Sequence, residues 1–241
     1  MQRVKLLKLD ERLSLCASFV REKKMVADIG TDHAYLPVYL VKSGKTNFAV
    51  AADVRVGPLE NAAGNIAENG LSDRIKTVLS DGLDKISPEE TDDIVIAGMG
   101  GELIARIIED APWLKNSEKH LILQPMTRAE ELRSYLSRSG FRIISEKACI
   151  SCKKCYSVML CEYDGIIREC SDLYRYIGDL VSDESIEAGR YIYIVTEKLK
   201  KKIKGFGRDT SEYESLSSII TQLEQITAER NGNNDISIGN I

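Results

Sequence analysis

Short, largely apolar runs recur through the first two thirds of the chain, at Met25–Ala27, Phe48–Ala52, Ile75–Leu79, Ile94–Ala97 and Leu121–Leu123, each followed within two residues by an acid, an amide or a glycine. Runs of this length read as strands buried on both faces. The segments between them carry apolar residues at helical spacing, as at Leu103, Ile104, Ile107 and Ile108. The order predicts a helix over about residues 10–21, four strand–helix units, a fifth strand at Leu121–Gln124 and a helix near 128–138. A closing hairpin follows, with strands at Arg142–Ala148 and Tyr156–Cys161 and its turn at Cys152–Cys155. Strand–helix alternation gives a mainly parallel sheet with right-handed crossovers. The last strand must run antiparallel, because the connection after Cys149 is too short for a crossover. The predicted architecture is a seven-stranded α/β sheet.

The pattern changes after Asp164-Gly165. From about residue 171 to 230 only helical spacing remains: Ile186, Tyr193 and Leu199 in one stretch, then Leu216, Ile219, Ile220, Leu223 and Ile226 in another. Gly205-Phe206-Gly207 and Asp209-Thr210-Ser211 supply a turn and an N-cap between two long helices. The chain therefore divides into a sheet domain, 1–165, and a helical, antiparallel coiled-coil-like domain, 166–241, with a shorter helix at Asp172–Val181. Lys198, Lys200, Lys201, Lys202, Lys204 and Arg208 crowd the far end of the first long helix. A phosphate-binding patch and an ordinary solvated helix face are both open readings of that run. Basic residues also cluster at Arg3, Lys5, Lys8 and Arg12, while Arg21, Lys23 and Lys24 read as solubility residues.

Chemistry concentrates at the strand ends. The first strand runs into Asp28-Ile29-Gly30-Thr31-Asp32-His33-Ala34-Tyr35-Leu36. In an open parallel sheet the ligand crevice lies beyond the carboxyl ends of the strands, and a glycine there lets a ligand approach the backbone. The nicotinamide fingerprint G-x-G-x-x-G is absent, so no pyrophosphate cradle is built on it. S-adenosylmethionine carries no phosphate and needs none. Asp53 ends the second strand, where a carboxylate can hold both hydroxyls of a ribose. Asp81, with Gly82, follows the third, where it can accept from an adenine amino group. A single Asp is more often a turn residue or helix cap, but a series at successive strand ends points to a nucleoside.

The fourth strand runs into Gly98-Met99-Gly100-Gly101, a loop that would face the reacting group, or that only makes a tight strand-to-helix turn. It holds no Asp or Asn of the kind that grips an exocyclic amine. A ring nitrogen already has an in-plane lone pair, so its methylation requires positioning and exclusion of water more than proton removal. Asp32, with main-chain acceptors around Gly98, Met99 and Gly100, is then a stabiliser of developing positive charge rather than a base. His33 reads as an orienting residue or as a helix-start hydrogen bond. Tyr35 reads as a packed aromatic before a base-stacking ring.

Composition adds limits. At 241 residues with 43% hydrophobic residues, the chain can bury one substantial core plus an appendage. A net charge of −4 gives no global nucleic-acid signature, so local charge decides. No run has membrane-spanning length and the first residues lack a signal peptide's apolar core, so a cytoplasmic protein is expected. Cys149, Cys152 and Cys155, at successive two-residue gaps with Cys161 beyond, resemble part of an iron–sulfur ligand run. Two histidines, His33 and His120, and no second Cys pair leave a zinc set incomplete. Free thiols in a reducing compartment, with no metal, are the expectation.

Three motifs together resemble one family: Asp28-Ile-Gly-Thr-Asp-His-Ala-Tyr-Leu-Pro37, Ala97-Gly-Met-Gly-Gly101 and Leu123-Gln-Pro-Met126 are similar to the TrmK family of bacterial tRNA (adenine-N1)-methyltransferases, which act at position 22 of tRNA. Leu9-Asp10-Glu11-Arg12-Leu13, Arg55, Pro58, Asn61 and Asn69-Gly70-Leu71 also match. The match is strong over roughly the first two thirds and extends to the rest in layout. The Cys149–Cys155 stretch is not a feature of the family. The resemblance implies a Rossmann-like class I sheet with a C-terminal helical domain that contacts tRNA, and S-adenosylmethionine as cofactor. It also implies a cofactor shell of Arg12, Asp28, Gly30, Asp32, His33, Asp53, Asp81, Gly82, Gly98 and Gln124, with no obligatory protein partner. Residue chemistry alone reaches a class I-type methyltransferase. Two rivals from other classes are a nucleotide-dependent oxidoreductase, disfavoured by the missing glycines, and a non-catalytic S-adenosylmethionine-binding or coiled-coil interaction protein.

Overall fold

The computed structural model describes residues 7–233, with side chains through Arg230. Arg3 and Lys5 lie outside the described residues. Seven strands, β1 (Val26–Ile29), β2 (Ala49–Asp53), β3 (Ile75–Leu79), β4 (Asp93–Gly100), β5 (His120–Thr127), β6 (Phe141–Ser151) and β7 (Lys154–Tyr163), form one sheet in the order β3-β2-β1-β4-β5-β7-β6. The first five pair in parallel, and β7 joins antiparallel to both β5 and β6. Every residue of β1 and β2 is buried, which is why these strands read as continuous apolar runs. Because β1 pairs with β2 on one side and β4 on the other, the connection reverses direction there. The crevice beyond the ends of β1 and β4 is the expected ligand site of such a sheet.

The helices α1 (Glu11–Phe19), α2 (Tyr35–Lys42), α3 (Val56–Glu68), α4 (Gly101–Glu109) and α5 (Ala129–Arg138) cover the sheet. Leu36 and Leu40 of α2 and Cys16 and Ala17 of α1 pack with Val26, Val95, Ile122 and Val158 on one face. Ile104, Ile107 and Ile108 of α4 pack with Leu132 and Leu136 of α5 on Ile94, Ile96, Leu121 and Leu123 on the other. Arg21 is not a solubility residue: its backbone N–H and Nε donate to the buried carboxylate of Asp93, both at 2.7 Å, tying the end of α1 to the start of β4.

The hairpin is longer than its sequence pattern suggested. Its turn is the dipeptide Cys152-Lys153, both residues at positive φ (49° and 63°), so the strands pair through to Ser151 and Lys154. A two-residue turn of this hand normally announces itself with Asn-Gly or Asp-Gly, and neither is present.

After the sheet come α6 (Asp172–Ile177), a 3₁₀ turn at Gly178–Ser182, α7 (Ile186–Lys202) and α8 (Ser211–Asn233). Ser171, Ser185 and Thr210 accept the N-terminal amide hydrogen bonds of the three helices. Ile192 and Leu199 of α7 meet Leu216, Ile219, Ile220 and Leu223 of α8 in a core of their own, and Arg230 reaches back to the carbonyls of Leu180 and Val181. The two long helices thus fold back as a hairpin. This region is fastened to the sheet by one fully buried ion pair. Arg133 of α5 donates to Glu146 of β6 at 2.6 Å, to the carbonyls of Arg175 and Tyr176 at 3.0 and 2.9 Å, and to the hydroxyl of Tyr191 at 3.3 Å. Gly178 passes directly over the pair; a Cβ there would stand 2.1 Å from Glu146 Oε2.

Candidate active site

Four of the predicted residues converge where β1, β4 and β5 end. Gln124, fully buried on β5, accepts through Oε1 from the Gly98 amide of β4 at 3.1 Å and from Arg12 Nη1 of α1 at 2.8 Å. Arg12 also meets Asp10, the N-cap of α1, at 3.2 Å. The Asp28 carboxyl lies under this group, at the end of β1. Burial pushes its pKa up to about 6, against the opposing pull of a Thr31 hydrogen bond and the Arg12 charge.

The backbone around this group leaves room for a ligand. Gly30 has φ +80° and Gly98 has φ +83°, conformations that side chains rarely adopt, and a Cβ on Gly30 would meet Met99 Cε at 2.1 Å. The Gly98–Gly100 segment is not a free loop. It continues β4 in irregular pairing, with Met99 opposite Pro125 and Gly100 opposite Thr127, so its position is set by β5.

Asp53 is buried at the end of β2. Its Oδ1 accepts from the Arg55 amide at 2.8 Å and faces Arg55 Nε at 3.5 Å, while nothing among the described residues engages Oδ2. Asp81 is exposed beyond β3, next to Gly82 at φ +53°. The Asp32 carboxylate pairs with His33 Nε2 at 3.4 Å, and the His33 ring stacks on Tyr35 with centroids 5.1 Å apart and planes 20° apart. Tyr35 is 44% exposed, which corrects its reading as a packed aromatic. The helix-start hydrogen bond belongs to Thr31, whose Oγ1 accepts from the Ala34 amide at 3.2 Å, and not to the His33 side chain.

Sequence reasoning gave no role to Thr31 or to Asn65, whose amide donates to the His33 carbonyl at 2.7 Å and holds that turn against α3. A hydroxyl three residues before a helix start was the available signal for Thr31. Asn65 lies inside an amphipathic helix and carried none.

The lysine run splits around α7. Lys200 is held by Glu197 at 3.0 Å and by Glu224 of α8 at 2.8 Å. Lys198 and Lys202 lie one turn apart on the side that faces the sheet domain, while Lys201, Lys204 and Arg208 are exposed. The cysteines of the two-residue spacing do not converge. Cys149 pairs opposite Tyr156 and Cys155 opposite Ile150, so the two thiols point to opposite faces of the hairpin, and Cys152 is exposed at the turn. Burial pushes the Cys149 thiol up to about 12 and the Cys155 thiol to about 11. Among the described residues no group of three His, Cys, Asp or Glu could hold a metal.

A methyltransferase-domain family model matches residues 9–159. The chain is 38% identical over 167 residues to the tRNA (adenine(22)-N(1))-methyltransferase of Bacillus subtilis, covering 66% of this chain and 70% of that protein. The chain belongs to the TrmK methyltransferase family. Its fold superposes on the crystal structure of the B. subtilis m1A22 tRNA methyltransferase TrmK with a TM-score of 0.80 at 29% identity, over 92% of this chain and 99% of that one. A Streptococcus pneumoniae protein solved in complex with S-adenosyl-L-methionine is equally similar, at a TM-score of 0.80 and 32% identity, over 91% of this chain and all of that one. The likeness to these TrmK-type chains extends through the C-terminal helices, beyond the methyltransferase domain itself.

Proposed function

We propose that this chain transfers the methyl group of S-adenosylmethionine to N1 of adenine 22 in tRNA, with residues 1–165 as the catalytic unit and 166–241 as the tRNA-contacting one. The observation that carries this reading is the motif-bearing crevice at the ends of β1 and β4, set in a chain 38% identical to a protein of that activity. The residues present fit the cofactor. Asp53 offers Oδ2 to the ribose hydroxyls, Asp81 and Gly82 stand where the adenine edge would lie, and Gly30 and Gly98 give backbone access to the sulfonium end. When bound, S-adenosylmethionine supplies an electrophilic methyl group.

The chain's own residues position and shield. Adenine N1 already carries a lone pair, so no group has to remove a proton before attack, and none of the residues around Gly98 is a base. The ring becomes cationic as the bond to N1 forms; Asp32 and the carbonyls of Gly98, Met99 and Gly100 accept that charge. Gln124 and Arg12 hold Gly98 in register, and His33 with Tyr35 gives an exposed aromatic platform beside the crevice. The adenine has to leave its stack to reach the site. Lys198, Lys202, Lys201, Lys204 and Arg208 meet the tRNA backbone; Lys200 instead joins α7 to α8. Among the described residues no helix is long and apolar enough to cross a membrane, and the work on tRNA belongs to the cytoplasm without an obligatory protein partner. Incubating the full chain with unmodified tRNA and S-adenosylmethionine, then identifying nucleosides by mass spectrometry, should yield N1-methyladenosine. No methylated nucleoside from folded protein would overturn the assignment.

A further inference from the structure

A cavity of about 170 Å³ lies at the seam between the end of β5, the hairpin and α7, apart from the cofactor crevice. We infer that this seam cavity binds one phosphodiester of the tRNA beside the target adenosine, gripped by Arg128, Lys198 and Lys202. The inference rests on the tRNA reading above and deepens it by naming the contact.

Four observations carry it. First, the charges lining the cavity are three cations, Arg128, Lys198 and Lys202, against one carboxylate, Glu130. Lys198 and Lys202 form no ion pair among the described residues, in contrast to Lys200 on the same helix, and the nearest carboxylate to Arg128 is Glu102 at 3.9 Å. Second, Tyr176 and Tyr191 contribute to its wall, so the lining mixes aromatic and cationic groups as nucleic-acid sites do. Third, about 170 Å³ is well below the roughly 300–1,000 Å³ of small-molecule sites, so it accommodates a phosphate and part of its sugar rather than a second cofactor.

The fourth observation is placement. The cavity wall starts at Pro125, the residue after Gln124, which itself holds Gly98 and Arg12 in the crevice. A phosphate here therefore flanks a base delivered to the crevice. Arg128 sits at φ +57°, a left-handed conformation uncommon for a long side chain, and the first turn of α4 packs so closely on its carbonyl that a Cβ on Gly101 would stand 2.1 Å away. The seam is rigid as well, because Arg133 bonds α5 to Tyr176 and Tyr191.

The test uses the full chain with Arg128→Gln, Lys198→Gln and Lys202→Gln, singly and combined. Lys115→Gln with Arg138→Gln serves as a charge-matched control at the opposite end of the sheet. Direct tRNA binding is measured across a salt series, alongside calorimetric affinity for S-adenosylmethionine. The triple variant should bind tRNA on the order of tenfold or more weakly, with the log–log salt slope reduced by about two to three, at unchanged cofactor affinity. The control should change binding less than about twofold. Equal losses in the control and the cavity variants, or wild-type binding by the triple variant, would overturn the inference. Because binding is read without turnover, a wild-type chain that binds tRNA but yields no N1-methyladenosine would count against the activity and not against the cavity.

Discussion

Replacing Asp28 by Asn removes an ionisable group from the floor of the crevice at nearly constant volume. The carboxyl is buried at the end of β1, and burial raises its pKa from 3.8 to about 6 despite the Thr31 hydrogen bond and the Arg12 charge. A rise of roughly two pH units, at ~1.4 kcal/mol per unit, corresponds to about 3 kcal/mol. The folded chain holds this proton more tightly than the unfolded one does. The associated stability is therefore fully present below about pH 4 and is lost as pH rises through about 6. The amide does not titrate and shows no such loss. Denaturant unfolding between about pH 4.5 and 7.5 should thus find wild type losing about 2 kcal/mol relative to Asp28→Asn, since roughly 1 kcal/mol is already gone at the acidic end. The other carboxylates titrate in both proteins and cancel in the difference. Parallel stability profiles for the two proteins would refute the claim that Asp28 is buried with a raised pKa.

Asp53→Ala should weaken S-adenosylmethionine binding in calorimetry by roughly 1.5–3 kcal/mol for each charge-assisted bond lost, and unchanged affinity in a folded variant would remove Asp53 from the site. Arg133→Met leaves Glu146 buried without its partner and should cost about 3–5 kcal/mol in denaturant unfolding; adding Glu146→Leu should recover most of that loss, and no recovery would mean that the cost lies in packing. Truncation after Gly165 removes the Arg175, Tyr176 and Tyr191 partners of Arg133, so the truncated chain should unfold at lower denaturant than the full chain. Cys152→Ser with Cys155→Ser should leave methyl transfer intact, and stoichiometric zinc or iron in anaerobically purified protein, lost in that variant, would contradict the free-thiol reading.

The parallel half of the sheet was legible because β1, β2, β4 and β5 are buried on both sides, so each apolar run carries its own boundaries, and the following acid or glycine marks the crevice. The hairpin was only partly legible: its extra residues alternate between Arg12's side of the sheet and α7, and its turn lacks the glycine that would announce it. Gly98-Met99-Gly100 looked like a loop by composition but is held as strand by pairing to β5, a long-range effect that no local pattern carries. Arg21 and Arg133 were invisible for the same reason. A cation on an amphipathic element reads as solvated until the fold supplies Asp93 or Glu146 beside it. The crevice residues were readable as a series, whereas the exposure of Tyr35 and the division of the lysine run depended on where α2 and α7 face.

The central claim is methyl transfer to N1 of one adenine in tRNA, and site mapping on transcripts tests it most directly. Unmodified tRNA with adenosine at position 22, and the same transcript with guanosine there, are incubated with the full chain and S-adenosylmethionine, then digested under non-alkaline conditions for nucleoside mass spectrometry. N1-methyladenosine from the first transcript and no incorporation into the second is the predicted result. N6-methyladenosine, or equal incorporation into both transcripts, would contradict it.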